Sequence, residues 1–291
     1  MPIKRIVLGT AQFGMKYGIA NRSPKPSPKD IFNILEYAFG KGINALDTAY
    51  SYGNSEQLIG DFIAQSGNYF KIISKLPNLS DKGISDVEKY FHKTLNNLKQ
   101  PALYGYLIHK FDNLIENKEI WGILESLKQD GLVEKIGVSL YNVSELEYLL
   151  NNNIKFDIVQ IPYNIFDQRF KTYFSVLKNM KAEIHSRSVF LQGLFFLETD
   201  IINKDFQLAK DNINKLRRIS IDNNIPLFAL CLCFVLLNPF LDKVIIGVDS
   251  VEQLRQNIDS FEYLDKTKNI YDLLESLKLD YEEVIIPNKW K

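Results

Sequence analysis

Short apolar runs rich in β-branched side chains alternate along this chain with longer stretches whose apolar positions recur every three to four residues. The runs predict strands over 6–8, 45–47, 71–75, 104–109, 135–139, 158–161, 183–188 and 244–247. Helical periodicity between them predicts helices over 29–39, 55–64, 85–98, 120–130, 144–150, 169–180, 206–223 continuing into 226–237, and 250–258. Start and stop chemistry supports several of these. Ser144 stands three residues before Glu147 in a capping-box pattern, and Phe39-Gly40 and Asp130-Gly131 read as helix ends. The proline-rich residues 23–28 read as a loop leading into the first main helix. Eight strand–helix units in succession predict an α/β protein, a closed (β/α)8 barrel with residues 1–291 as one domain. An open doubly wound sheet is the rival, but Gly9-Thr10-Ala11-Gln12-Phe13-Gly14 lacks the G-x-G-x-x-G spacing that fold would carry after its first strand.

Composition narrows the partners. Of 291 residues 46% are hydrophobic, and 35 Lys plus Arg balance 35 Asp plus Glu. Such a chain can bury a large core, and it has no electrostatic footprint for nucleic acid or an anionic membrane, so a small molecule is the expected partner. The amino-terminal residues lack the apolar centre of a signal peptide, and the most apolar run, 227–237, is too short to span a bilayer. A cytoplasmic protein is expected. Cys231 and Cys233 lie in that run two residues apart, which suits small buried hydrophobes and neither a redox pair nor a zinc site; no metal is expected.

The chemistry gathers where strands end. In a barrel, loops from different strands converge only at the carboxyl ends of the strands. Asp47, Lys75 and His109 sit at three such ends, and Tyr52 follows Asp47 in the adjoining loop. Any one of them alone reads as a turn residue, a solvated charge or packing; from three consecutive strands they read together as a site. The set suits proton donation to a carbonyl oxygen. Tyr52 would be the acid, Lys75 would lower its pKa from the usual value near ~10, Asp47 would hold Lys75 charged, and His109 would orient the carbonyl. None of these groups carries a hydride, so a cofactor must.

The segment Asp47-Thr48-Ala49-Tyr50-Ser51-Tyr52-Gly53-Asn54-Ser55-Glu56 resembles the D-T-A-x-x-Y-G-x-S-E signature of the aldo-keto reductases. Lys75 in Ile72-Ile73-Ser74-Lys75 and His109 in Tyr106-Leu107-Ile108-His109 match that family's other catalytic positions. Leu8-Gly9-Thr10, Lys135 to Ser139, Gln160 to Asn164 and Ile245 to Asn257 extend the resemblance along the chain. It implies a (β/α)8 barrel that binds NADPH, less often NADH, with Tyr52, Lys75, Asp47 and His109 as catalytic residues. It further implies Ser139 and Gln160 at the nicotinamide carboxamide, and Gly9, Thr10 and Ala11 near its ribose. Arg187 falls at the nicotinamide face, Ser188, Phe190 and Gly193 along the pyrophosphate, and Gly247, Val248, Asp249, Ser250, Gln253 and Asn257 around the adenosine. The run His185 to Leu194 resembles a bacterial subgroup often found with nucleotide-sugar and surface-polysaccharide genes, which makes a keto-sugar one expected substrate. Phe13, Tyr17, Tyr50 and Tyr163 are expected pocket walls, and the tail after Tyr281 covers the mouth or lies on the surface.

The chain departs from the family pattern in three respects. Leu140 stands where many members carry an Asn, and Arg187 where many carry an aromatic ring on the nicotinamide. At the adenosine end, Gly247, Ser250 and Gln253 replace Lys or Arg, and Asp249 adds negative charge, so NADPH is the family expectation and NADH the alternative; Arg255 is the nearest candidate clamp. The expected activity is NAD(P)H-dependent reduction of an aldehyde or ketone, with Lys75→Met removing activity and leaving folding nearly intact. Two rivals are a barrel aldolase using Lys75 as a Schiff-base nucleophile, and a non-catalytic nucleotide-binding regulatory subunit.

Overall fold

Eight parallel strands close into a barrel in chain order: β1 Ile6–Gly9, β2 Ala45–Asp47, β3 Lys71–Leu76, β4 Leu103–Ile108, β5 Val133–Ser139, β6 Ile158–Pro162, β7 Glu183–Arg187 and β8 Lys243–Gly247, with β8 pairing back onto β1. The computed structural model describes residues 2–20, 24–79, 83–198 and 204–290; Ser23 of the proline-rich loop and the terminal Lys291 lie outside them. The expected (β/α)8 barrel is the observed fold.

Strands covered on both faces need apolar side chains in both directions, which is why the strand signal is a continuous run and not an alternation. Val7, Ala45, Ile73, Leu107, Ile158 and Ile245 fill the barrel interior, while the outward set packs beneath the helices. The helix Asp86–Leu98 buries Val87, Phe91, Thr94, Leu95 and Leu98, one stripe at helical spacing. Leu227–Leu237 is apolar all round because it is enclosed all round, and Cys231 and Cys233 are buried in it as free thiols. Among the described residues no single helix is long and apolar enough to cross a membrane.

Register places the site. Gly9 pairs with both Asp47 and Gly247, Ser139 with Gln160, and Pro162 with Arg187, so the strand ends that carry chemistry form one rim. At the opposite end, Glu183 accepts hydrogen bonds from the Tyr104 hydroxyl and Lys135, with His185 3.1 Å away. That cluster closes the bottom of the barrel, where the fold places stability and not chemistry.

The differences from expectation are local. The helix expected to begin at Ser144 begins one residue earlier, as Val143–Asn151, with its cap two residues earlier at Asn142, and the carboxylate of Glu145 accepts the backbone N–H groups of Tyr141 and Asn142. Ser27 caps Pro28–Gly40 reciprocally with Asp30. The stretch expected as a helix over 169–180 divides into a 3-10 segment Arg169–Tyr173 and a helix Phe174–Asn179. His109 and Ser188 lie just past β4 and β7; Ser188 has φ 61°, outside any strand conformation. The tail packs through Val284, Ile285 and the Trp290 ring, which meets Phe206 edge-on at 4.9 Å.

Candidate active site

A short helix, Ala11–Gly14, follows β1 and forms the seat for the loop bearing Tyr52. Gly14 and Gly53 touch backbone to backbone. A Cβ on Gly14 would lie 1.5 Å from the Tyr52 carbonyl oxygen, and one on Gly53, at φ +57°, would lie 2.4 Å from the Gly14 carbonyl oxygen. Ser55 Oγ donates to Thr10, and Thr48 Oγ1 lies 3.2 Å from Ser55 Oγ, joining β1, β2 and the following helix. The buried Glu56 accepts from Ser74 Oγ at 2.7 Å and from Asn97 Nδ2 at 3.0 Å. The Ser and Glu of the motif are therefore structural: they clamp the Tyr52 loop to its neighbours.

Inside this frame Lys75 Nζ, fully buried, donates to Asp47 Oδ1 at 2.6 Å and to the Thr48 carbonyl at 2.8 Å. The second oxygen of Asp47 accepts Gln160 Nε2 at 2.7 Å, and Gln160 Oε1 accepts Ser139 Oγ at 3.3 Å. Gln160 and Ser139, which the resemblance placed at a carboxamide, are thus joined in a chain that ends on Asp47. The Tyr52 ring lies 5.2 Å from Lys75 Nζ and meets the His109 ring edge-on at 5.6 Å. All four groups read from the strand ends are brought together.

The electrostatics differ from the expected tuning. Burial first, and then the Asp47 charge, pushes the Tyr52 phenol well above its ordinary value; the expected depression by Lys75 does not appear, because Asp47 answers that ammonium. Burial also draws Lys75 below its ordinary value, with Asp47 opposing. Burial, then Lys75 and Arg187, pulls His109 down to about 3, so its imidazole is neutral at any working pH. The assembly is a neutral acid beside a neutral orienting ring, held by an ion pair.

A cleft of about 580 Å³ runs from Asp47 and Tyr52 to the helix after β8. Gly9, Thr10, Ala11, Gln160, Arg187, Ser188, Phe190, Gly193, Gly247, Asp249, Gln253 and Asn257 line it. Ser139 and Val248 are buried behind the wall, and Ser250 spends its hydroxyl as the cap of Val251–Asp259. Gln12, Gln192, Phe196, Phe228 and Gln256 also line the cleft, and sequence reasoning missed them. Gln12 packs where a Cβ on Gly247 would stand, 2.4 Å from its Nε2, a long-range approach with no local signal. The Ile19 N–H donates to the Gln192 carbonyl at 2.9 Å, joining the loop after β1 to the loop after β7. Of the expected aromatic walls Tyr17 lines the cleft, while Phe13 and Tyr163 are core residues, the latter stacked on Phe234. Tyr50 meets Tyr90 edge-on at 4.9 Å.

The model of the Aldo/keto reductase family matches residues 5–278. The chain belongs to the aldo-keto reductases. It is 24% identical over 280 residues to the uncharacterized oxidoreductase YqkF of Bacillus subtilis, covering 87% of this chain and 89% of that one. It is 35% identical over 165 residues to the glyoxal reductase of the same organism, covering 55% and 58%. The holo form of an aldo-keto reductase from Bacillus halodurans superposes with a TM-score of 0.78 at 19% identity over 98% of this chain and 95% of the other. The protein is accordingly an NAD(P)-dependent oxidoreductase, and the rim described above is where this reductase fold keeps its chemistry.

The end of the cleft beside the helix Val251–Asp259 carries a carboxylate. Asp249 and Gln253 line it, with the Asp249 N–H donating to Gln253 Oε1 at 2.8 Å. Arg255 faces elsewhere: it pairs with Glu252 at 3.2 Å, lies 5.9 Å from the Tyr37 ring, and does not line the cleft. A run of left-handed backbone from Leu191 to Gly193, φ 45° to 94°, turns this wall along the middle of the cleft. These residues fit an extended dinucleotide, with Tyr52 and Asp47 at one end and the helix Val251–Asp259 at the other.

Proposed function

We propose that this aldo-keto reductase reduces an aldehyde or ketone to an alcohol, with Tyr52 giving the proton. The observation that carries this reading is the Tyr52 phenol on the cleft wall beside His109, backed by the Lys75–Asp47 pair. A bound nicotinamide supplies the hydride to the carbonyl carbon. As that carbon gains the electron pair, its oxygen becomes strongly basic and takes the proton from Tyr52 Oη. A phenol held protonated by burial releases its proton only to such a base, so the raised pKa suits the role. The Lys75 ammonium, held in place by Asp47, faces the negative charge left on Tyr52 until a proton re-enters. His109, neutral, donates a hydrogen bond to the same carbonyl oxygen.

The aldolase reading loses support from geometry, since Lys75 Nζ is sealed from the cleft by Asp47 and the Thr48 carbonyl. A regulatory role without turnover draws no support from a site in which all four groups are in place.

The pH dependence follows from the shifts. His109 loses its proton only as pH rises through about 3, and Tyr52 keeps its own above its ordinary value, so both stay in the active form across the neutral range. The kcat/KM of reduction should be flat between pH about 5 and about 9. An inflection near ~6.5 that disappears in His109→Gln would remove the neutral-imidazole assignment.

Asp249 tunes the choice of nucleotide. A carboxylate on the cleft wall repels a 2′-phosphate and suits a ribose hydroxyl. Asp249→Ala should therefore shift the ratio of NADPH to NADH dissociation constants toward NADPH by about three- to tenfold. Fluorescence titration with the two nucleotides in parallel reads the ratio, and an unchanged ratio would place the phosphate away from Asp249.

A further inference from the structure

Arg187 is a cation in the cleft with no carboxylate among the described residues to answer it. It ends β7, is half-buried, and lines the same cleft as Tyr52. Its Nη2 donates to the Leu140 carbonyl at 2.8 Å and its Nη1 to Ser188 Oγ at 3.1 Å, while Cζ lies 4.0 Å from the centroid of the Tyr141 ring. Nε is buried with no partner. Among the described residues no Asp or Glu lies within ion-pair distance of it. Of the two carboxylates on the cleft wall, Asp47 is held by Lys75 and Gln160, and Asp249 stands after β8 at the far end.

Three neutral contacts orient a guanidinium but do not neutralise it. A guanidinium stays charged at every working pH, and a partly buried charge without a counterion is costly. One hydrogen on each Nη is left for a further acceptor. The position of the charge indicates whose acceptor it is. Arg187 packs on Tyr141 and Leu140, directly after the strand that carries Ser139, and its charge is felt at Tyr52, His109 and Tyr17. That is the proton-delivery end of the cleft.

We propose that Arg187 receives an anionic group of the substrate, so that the favoured carbonyl compound carries a carboxylate or phosphate close to its reacting carbon. This rests on the reductase reading of the site and adds the substrate class to it.

Matched pairs that differ in charge test this on the intact enzyme with saturating nucleotide: 4-carboxybenzaldehyde against methyl 4-formylbenzoate, pyruvate against methyl pyruvate, and glycolaldehyde phosphate against glycolaldehyde. The anionic member of at least one pair should be preferred by about tenfold or more in kcat/KM. In Arg187→Gln that ratio should fall about tenfold, chiefly through KM, and Arg187→Lys should recover part of it. A ratio at or below one in every pair, or one that Arg187→Gln leaves unchanged, overturns the proposal. Nucleotide titration of the same variants separates the other source of an anion: a tenfold loss of nucleotide affinity with an unchanged substrate ratio assigns Arg187 to the cofactor phosphates and overturns it. If no carbonyl compound turns over, the reductase reading fails, and calorimetry of terephthalate binding to the nucleotide-loaded protein still decides the anion site. Binding that is lost in Arg187→Gln upholds it, and no binding to the unaltered protein overturns it.

Discussion

Tyr52→Phe should lower kcat for carbonyl reduction by about two to four orders of magnitude while leaving the fold and nucleotide binding intact. The substitution removes one hydroxyl and nothing else. Among the described residues that hydroxyl makes no hydrogen bond, and the ring keeps its edge-on contact with His109 and its place over Lys75. The stability change should therefore stay within about 1 kcal/mol, and the dissociation constant for the nucleotide should move by less than about threefold. Single-turnover kinetics with nucleotide bound in advance isolates the chemical step. A variant that retained full turnover would sink the role assigned to Tyr52; equal loss of nucleotide binding would show that the phenol holds the cofactor and not the proton.

Lys75→Met should remove activity too, but it should not spare the fold. The side chain is fully buried, and its ammonium is the partner of an equally hidden carboxylate 2.6 Å away. Removing one member of such a pair leaves the other uncompensated, at a cost of about 3–5 kcal/mol. Gln160 Nε2 still donates to Asp47, which favours the lower part of that range. Thermal unfolding should show the midpoint falling by about 5–15 °C. The double variant Asp47→Asn with Lys75→Met discriminates between causes. With both charges gone, stability should return by more than half, since a neutral amide is far cheaper to bury than a carboxylate. Activity should not return, because nothing remains to stabilise the Tyr52 phenolate. If the single variant is as stable as the original protein, the pair is solvated, contrary to its burial.

The three groups at the strand ends and Tyr52 in the loop between them were legible because each depends on local pattern. A barrel strand is a short apolar run whose carboxyl end is marked by polar residues: Asp47 closes β2, and Lys75 follows Ser74 near the end of β3. The Tyr52 loop was legible through its motif, including Gly53, whose positive φ no larger residue adopts without strain. Gln160 to Asp47 is a contact across 113 positions, and no spacing rule reaches that far. The same holds for Gln12 on Gly247 and Gly14 on Tyr52, which exist only once β1 lies between β2 and β8. Phe13 and Tyr163 failed as pocket walls for a related reason: an aromatic near a strand end can turn to the cleft or to the helices, and only packing chooses.

The chain's own pattern determined the barrel, the identity of its rim and the residue types able to move a proton, because strand runs, strand ends and a short motif are written in near neighbours. The tertiary structure alone decided how those residues are charged and paired. Closure of the sheet brings Gln160 to Asp47, seals Lys75 from water, and leaves Arg187 in the cleft without a counterion among the described residues. Burial and pairing set the energy of a charge, and both are properties of the packed barrel.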